Sequence, residues 1–282
     1  NTDLSRTITV PSNSVTYTAS FSENTGAVTT YVAVANSNPV WPYLSCATAA
    51  TNIHDGIDAV LDGDSVIVSN GVYASGSRTV DGYSLSTRMV VDKAIRVQSL
   101  NGPDVTLIEG AGPVGNTAVR CVYLDYNATL SGFSLINGAT RYSGDYQRDR
   151  SGGGVYCEYT AVVTNCTLIG NRASYYGGGS YQGTLNNCTL TGNQADNAGG
   201  GAYDADLNHC TLKSNEADSG GGAYRGTLKN CLITGNTADY NGGGAYDAWL
   251  YSCTVTGNSA DSRGGGIYDG YLYNCIVYFN TA

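Results

Sequence analysis

The sequence predicts an all-β protein, a solenoid in which short parallel strands stack coil upon coil. Three observations carry this. Cys166, Cys188, Cys210, Cys231, Cys253 and Cys275 are separated by 22, 22, 21, 22 and 22 residues, a fixed period suited to one coil of a solenoid. Around each of these cysteines the chain alternates, as in Asn187-Cys188-Thr189-Leu190-Thr191, which is the two-residue period of a strand. Charged residues make up 13% of the chain, with 38 Gly and 23 Tyr, a composition of strands and turns rather than helices.

Composition also excludes several classes. A hydrophobic content of 41% is enough to bury a core, so disorder is not expected. The net charge of −9 argues against nucleic acid, which needs a clustered basic surface. No apolar run approaches the ~18 residues of a membrane span. The chain opens at Asn1 without the charged and apolar regions of a signal peptide, so any such leader is expected to lie outside it. Residues 1–45 are rich in Thr, Ser and Val and alternate in places, as in Thr7-Ile8-Thr9-Val10. They are expected to form an N-terminal β extension or the end of a preceding domain, with the solenoid over 46–282.

Within 46–151 the segment from Asn52 to Leu61 predicts one helix. Asn52 is its N-cap, Ile53, Ile57, Val60 and Leu61 form one face, and Asp62-Gly63-Asp64 ends it. A helix there would cover the open edge of the first coil. Strands are expected at Ser65–Ser69, Met89–Val91, Ala94–Gln98, Thr106–Ile108, Val119–Leu124 and Thr129–Leu135, as irregular early coils.

Six regular coils fill 152–282. Gly triplets start at Gly152, Gly177, Gly199, Gly220, Gly242 and Gly264, each followed by a Tyr: Tyr156, Tyr181, Tyr203, Tyr224, Tyr246 and Tyr268. An Asn lies five residues past each repeat Cys, from Asn171 to Asn280. Each unit predicts a short strand at the GGGAY segment and one longer strand through TLNNCTLT. Stacking at about 4.8 Å puts Cys and the flanking Leu, Ile and Val rows inside. It puts Tyr and Asp rows outside, and the Asn row at a turn where amides bond along the axis. The spacing forbids a C-x-x-C metal site. Stacked cysteines have parallel Cβ vectors, too far apart at Cβ to bridge, so a buried thiol column is expected.

The run Asp62-Gly63-Asp64-Ser65-Val66-Ile67-Val68, then Asn70-Gly71-Val72-Tyr73, resembles the opening of pectate-lyase-like right-handed single-stranded parallel β-helices. So do Val91 to Ser99 with Asn101-Gly102-Pro103, and Arg120 to Leu124 followed by Leu130-Ser131-Gly132-Phe133. With the GGGAY…NNCTLTGN units these are similar to bacterial surface and secreted β-helix repeat proteins over residues 40–282. The resemblance implies a secreted or cell-surface location on a bacterium. Related chains continue past the last such repeat, so the final coil is expected to be uncapped, meeting a further segment or another copy. Activity is left open, since the fold hosts lyases, hydrolases and adhesins alike.

Candidate site residues lie where the copies disagree. Trp249, Tyr251, Tyr271 and Tyr273 replace Thr and Asn on adjacent coils, an outward aromatic block able to meet a glycan or a protein. Asp206, His209, Lys213 and Arg225, with Lys229 nearby, are the candidates for the acid–base and charge-neutralising work of a polysaccharide lyase, though no lyase motif surrounds them. Asp196, Asp218, Asp239 and Asp261 recur three residues after the Asn row, a carboxylate ladder that could hold Ca²⁺; no other cofactor is implied. Asp204, Asp206, Asp247 and Asp269 could supply paired glycosidase carboxylates. Neither His sits by a nucleophile elbow, and Lys213, Leu232, Ile276 and Tyr278 break the Thr array an ice-binding face would need. The leading expectation is a non-catalytic scaffold, adhesin or glycan-binding protein. The alternative is a polysaccharide lyase or glycoside hydrolase.

Overall fold

The structure, a computed structural model, describes residues 4–9, 16–21 and 26–282. Leu4–Thr9 and Thr16–Phe21 pair antiparallel; Val10, which ends the alternating Thr7–Val10 run, lies outside the described residues. Thr29–Val32 already pairs in parallel with Ser65–Val68. From there the chain winds as a parallel β-helix with three main sheets of nine, ten and nine strands and a fourth of five.

The regular coil starting at Gly177 shows how sequence becomes geometry. Ser180–Tyr181 lies on the first face, Thr184–Asn186 on the second, Thr189–Thr191 on the third and Gln194–Ala198 on the fourth. The single long strand expected through TLNNCTLT is thus two strands. Asn187 sits between them at φ 53, and Asn165, His209, Asn230, Ser252 and Asn274 repeat that left-handed conformation at φ 52 to 54. Asn tolerates it because its short polar side chain bonds locally. The corner is why Leu185 and Cys188, three residues apart, both point inward and are both buried; an unbroken strand would put them on opposite faces. The expected strand Thr129–Leu135 divides in the same way, into Thr129–Ser131 and Ser134–Ile136, at Gly132 with φ 81.

The inward rows form one continuous core from Val32 to Val255. Each fully buried Leu contributes about 1.5–3 kcal/mol of transfer free energy. On the last coil Leu272 and Val277 are 42% and 44% exposed, whereas their counterparts Leu250 and Val255 are fully buried. All nine cysteines are free. Those of the repeat form the expected column, in which Cys188 N donates to Cys210 Sγ at 3.4 Å and Cys210 Sγ donates to Leu185 O. Burial pushes the Cys166 thiol up to about 11.

A second column runs beside it. Asn193 Nδ2 donates both to Asn215 Oδ1 and to Leu168 O, each at 3.0 Å, and the pattern continues from Asn171 to Asn280. The Gly triplets pass against it: a Cβ on Gly179 would lie 3.1 Å from Asn193 Cγ, and one on Gly178 would lie 2.2 Å from Gln194 O.

Helix Ile53–Asp58 is shorter than expected. Asn52 caps it by accepting from His54 N, and Ile53, Ile57 and the following Val60 are buried. Leu61 falls beyond its end and is 76% exposed, because the chain has already turned to meet Asp64, whose Oδ2 accepts from Leu61 N. The 21-residue spacing between Cys210 and Cys231 is absorbed after the Asp row. There the pairing slips from Ala195↔Ala217 to Ala198↔Ser219 while the three main faces keep register.

Candidate functional site

The repeat tyrosines point out of the coil, yet they are not an exposed row. Tyr156, Tyr181 and Tyr203 are only 4%, 2% and 8% exposed, since the rings from Tyr123 to Tyr268 cover one another at centroid spacings of 4.7 to 5.8 Å. At the N-terminal end of this column Tyr83 packs edge-on against Tyr123 and Tyr156. Beside it opens a cleft of about 410 Å³, whose lining includes Asp81, Tyr83, Asp125, Tyr126, Arg148, Glu158, Tyr159 and Gln182.

Two segments outside the repeat build its wall, and two buried charges tie them down. Asp149 Oδ1 accepts from Ser84 N and Leu85 N at 2.6 and 3.0 Å, and its Oδ2 accepts from Asp145 N. Arg120, fully buried, donates to the carbonyls of Arg148, Ser151 and Gly152. Its guanidinium lies 5.0 Å from the Tyr156 ring centroid. Burial lowers Arg120 to about 10, so it remains a cation at neutral pH.

At the surface Glu158 Oε1 accepts from the hydroxyls of Tyr123 at 3.2 Å and Tyr83 at 3.4 Å. Asp125 Oδ1 accepts from Tyr126 N at 2.8 Å. Tyr126 and Tyr159 are 52% and 65% exposed, and the Glu158 charge pushes the Tyr126 hydroxyl up. The Arg148 guanidinium stands 5.5 Å over the Tyr83 ring. Among the described residues Asp81, Asp125 and Glu158 are in no ion pair.

The residues singled out from the sequence fall elsewhere. Trp249 stacks on Tyr271 at 4.3 Å and Tyr251 on Tyr273 at 4.9 Å, forming the two-by-two block on adjacent strands of the second face. Trp249, Tyr271 and Tyr273 nonetheless stay 43%, 55% and 45% exposed. Asp206 lies on the second face, where its Oδ1 accepts from Thr227 N. His209 and Arg225 are corner residues at φ 54 and 60. Lys213 is around the corner on the third face, and Arg225 pairs with Asp247 at 3.1 Å. Asp204, Asp247 and Asp269 are the corner equivalents of Arg225, at φ 50 to 52. Asp206 is thus aligned with Thr227 of the next coil, Arg225 with the corner residues Asp204 and Asp247, and His209 and Lys213 lie at the next corner and on the third face.

Of the Asp ladder, Asp196 pairs with Arg172 at 3.1 Å. Partial burial and then the charges of Asp239 and Asp196 raise the Asp218 carboxyl. Asp196, Asp218 and Asp239 line a shallow cavity of about 250 Å³ with Gln194 and Glu216, and Asp261 follows one coil on. Among the described residues no group of three or more His, Cys, Asp or Glu is arranged to hold a metal ion, and no helix is long and apolar enough to cross a membrane.

The Chlamydia polymorphic membrane protein (Chlamydia_PMP) repeat matches residues 252–269. That is less than one coil in length and crosses from the coil starting at Gly242 into the one starting at Gly264. No curated protein matches the chain. Among solved structures it is similar to pectin methylesterase PemA from Erwinia chrysanthemi, at 10% identity over 87% of this chain and 81% of that one, TM-score 0.46. A rhamnogalacturonan lyase is similar at 12% identity over 90% and 69%, TM-score 0.40. A PL6 family alginate lyase follows at 11% over 80% and 39%, TM-score 0.35. The chain is a parallel β-helix repeat protein by its own strand pairing, and likenesses this distant carry nothing about its site.

The cleft was not among the sequence candidates, because much of its lining, Asp81, Tyr83, Asp125, Tyr126 and Arg148, lies outside the regular coils, and its repeat members Tyr156 and Gln182 gave no sign of what they meet. A signal was present: five of the ten residues Arg141 to Arg150 are charged, in a chain where 13% are.

Proposed function

We propose that the protein is a glycan-binding β-helix working outside a bacterial cell, and that the tyrosine cleft is its binding surface. The observation that carries this is the placing of two exposed rings, Tyr126 and Tyr159, beside Asp125, Glu158 and Gln182 in one concavity. Sugar rings present an apolar C–H face that stacks on aromatics and a rim of hydroxyls that needs paired donors and acceptors. Both kinds of group line the cleft. The aromatic block of Trp249, Tyr251, Tyr271 and Tyr273 is comparably exposed but fits this role less well, because its four side chains include no carboxylate or amide to pair with sugar hydroxyls. A binding role without catalysis is supported by the scatter of Asp206, His209, Lys213 and Arg225 over different faces and corners.

The test is calorimetric titration with a panel of neutral, acidic and basic oligosaccharides. Replacing both Tyr126 and Tyr159 by Ala should weaken binding by about tenfold or more, a loss of roughly 1.4 kcal/mol, without moving the unfolding midpoint. If no member of the panel binds, or the double variant binds as well as the parent, the reading fails. Release of unsaturated or reducing-end product from any polysaccharide would replace it with an enzymatic one.

A further inference from the structure

We infer that the cleft selects glycans bearing protonated amines, that is, hexosamine units, and disfavours polyuronates. This rests on the glycan-binding reading and goes beyond it by naming the ligand class. Charge decides the matter. Beneath the floor the buried Arg120 guanidinium is offset by Asp149, whose carboxylate is also buried and acts on it favourably. At the surface, Asp81, Asp125 and Glu158 face a single cation, Arg148.

The aromatic groups add to the same preference. A cation is attracted to the face of an aromatic ring, and Tyr83 already holds the Arg148 guanidinium over its face at 5.5 Å. Tyr126 and Tyr159 offer two further rings at the rim with large exposed areas. An ammonium on C2 of a sugar stacked there would meet ring faces together with carboxylates that have no ion-pair partner. The chain's net charge of −9 draws a cationic polymer in and repels an anionic one. A uronate carboxylate in the same place would add a fourth negative charge to three that lack ion-pair partners.

The experiment uses the whole chain and three probes: a glucosamine hexamer, an N-acetylglucosamine hexamer and a galacturonate hexamer. They are titrated at a pH that keeps the amine protonated. The glucosamine hexamer should bind about tenfold or more tightly than the acetylated one, and added salt should narrow the gap. Asp81→Asn is the clean variant, since among the described residues no hydrogen bond depends on that side chain. It should weaken glucosamine binding severalfold more than it weakens N-acetylglucosamine binding. Equal or tighter binding of the acetylated or galacturonate hexamer would overturn the charge selection while leaving glycan binding intact. Absence of binding by all three would overturn both.

Discussion

Asn193 and Asn215 are joined by two hydrogen bonds to one atom: Asn193 N and Asn193 Nδ2 both donate to Asn215 Oδ1 at 3.0 Å. The Asn215 side chain in turn donates to Asn236 Oδ1 and to Leu190 O. Both Asn193 and Asn215 are buried, so these groups have no water to fall back on. Asn215→Ala strands polar groups on either side and is expected to cost about 2–5 kcal/mol. It should lower the urea midpoint at an unchanged m-value. A loss below 1 kcal/mol would show that the column is not a main support.

Two glycines separate steric need from backbone need. Gly178→Ala puts a Cβ 2.2 Å from the Gln194 carbonyl oxygen, a clash with backbone that cannot swing aside and should cost more than about 4 kcal/mol or prevent folding. Gly192 has open space around it and only its φ of +62 to object. Gly192→Ala should cost about 1–2 kcal/mol. Thermal melts of the two variants side by side give the answer.

Acid should loosen the N-terminal end first. His54 is buried and its Nε2 accepts from Val90 N at 3.1 Å, so the fold needs the neutral ring. Burial lowers its pKa from 6.5 to about 4. Below 6.5 the unfolded chain takes up a proton that the folded chain refuses. The stability this provides is therefore complete above that pH and lost progressively as pH falls toward 4. His54→Gln should flatten the dependence of the melting temperature over that interval. An unchanged slope would mean that other groups set it.

Thiol reactivity should divide the nine cysteines. Cys46 is exposed, Cys275 is half-buried and the rest are buried. A chromogenic disulfide reagent should modify Cys46 quickly and Cys275 slowly, with the others reacting only after unfolding. Fast reaction of Cys188 or Cys210 in the native protein would contradict the packed column.

The solenoid was legible because its period, its inward rows and its Asn column all repeat, and repetition makes a weak local signal strong. What was hidden depends on single backbone choices or on parts that occur once. The corner at Asn187 looks like one more residue of an alternating strand until its positive φ is known. Tyr156 and Tyr181 point outward as expected, but only the stacked coils reveal that they shield each other. The cleft needs Tyr83, Asp149 and Arg120, from three separate segments, to meet. Their meeting is tertiary and leaves no periodic trace.

The shortened coil after Asp218 shows where this architecture keeps its slack. One residue is missing between Asp218 and Gly220 relative to the preceding coil, and the pairing of Leu207 with Leu228 and of Leu212 with Ile233 proceeds undisturbed. The bend following the Asp row therefore works as an expansion joint. Sequence can be taken out there, and by the same geometry put in, while the load on the core passes through unchanged faces. A loop grafted at that bend would stand on the outside of the rod, at a height along the axis set by the coil that carries it.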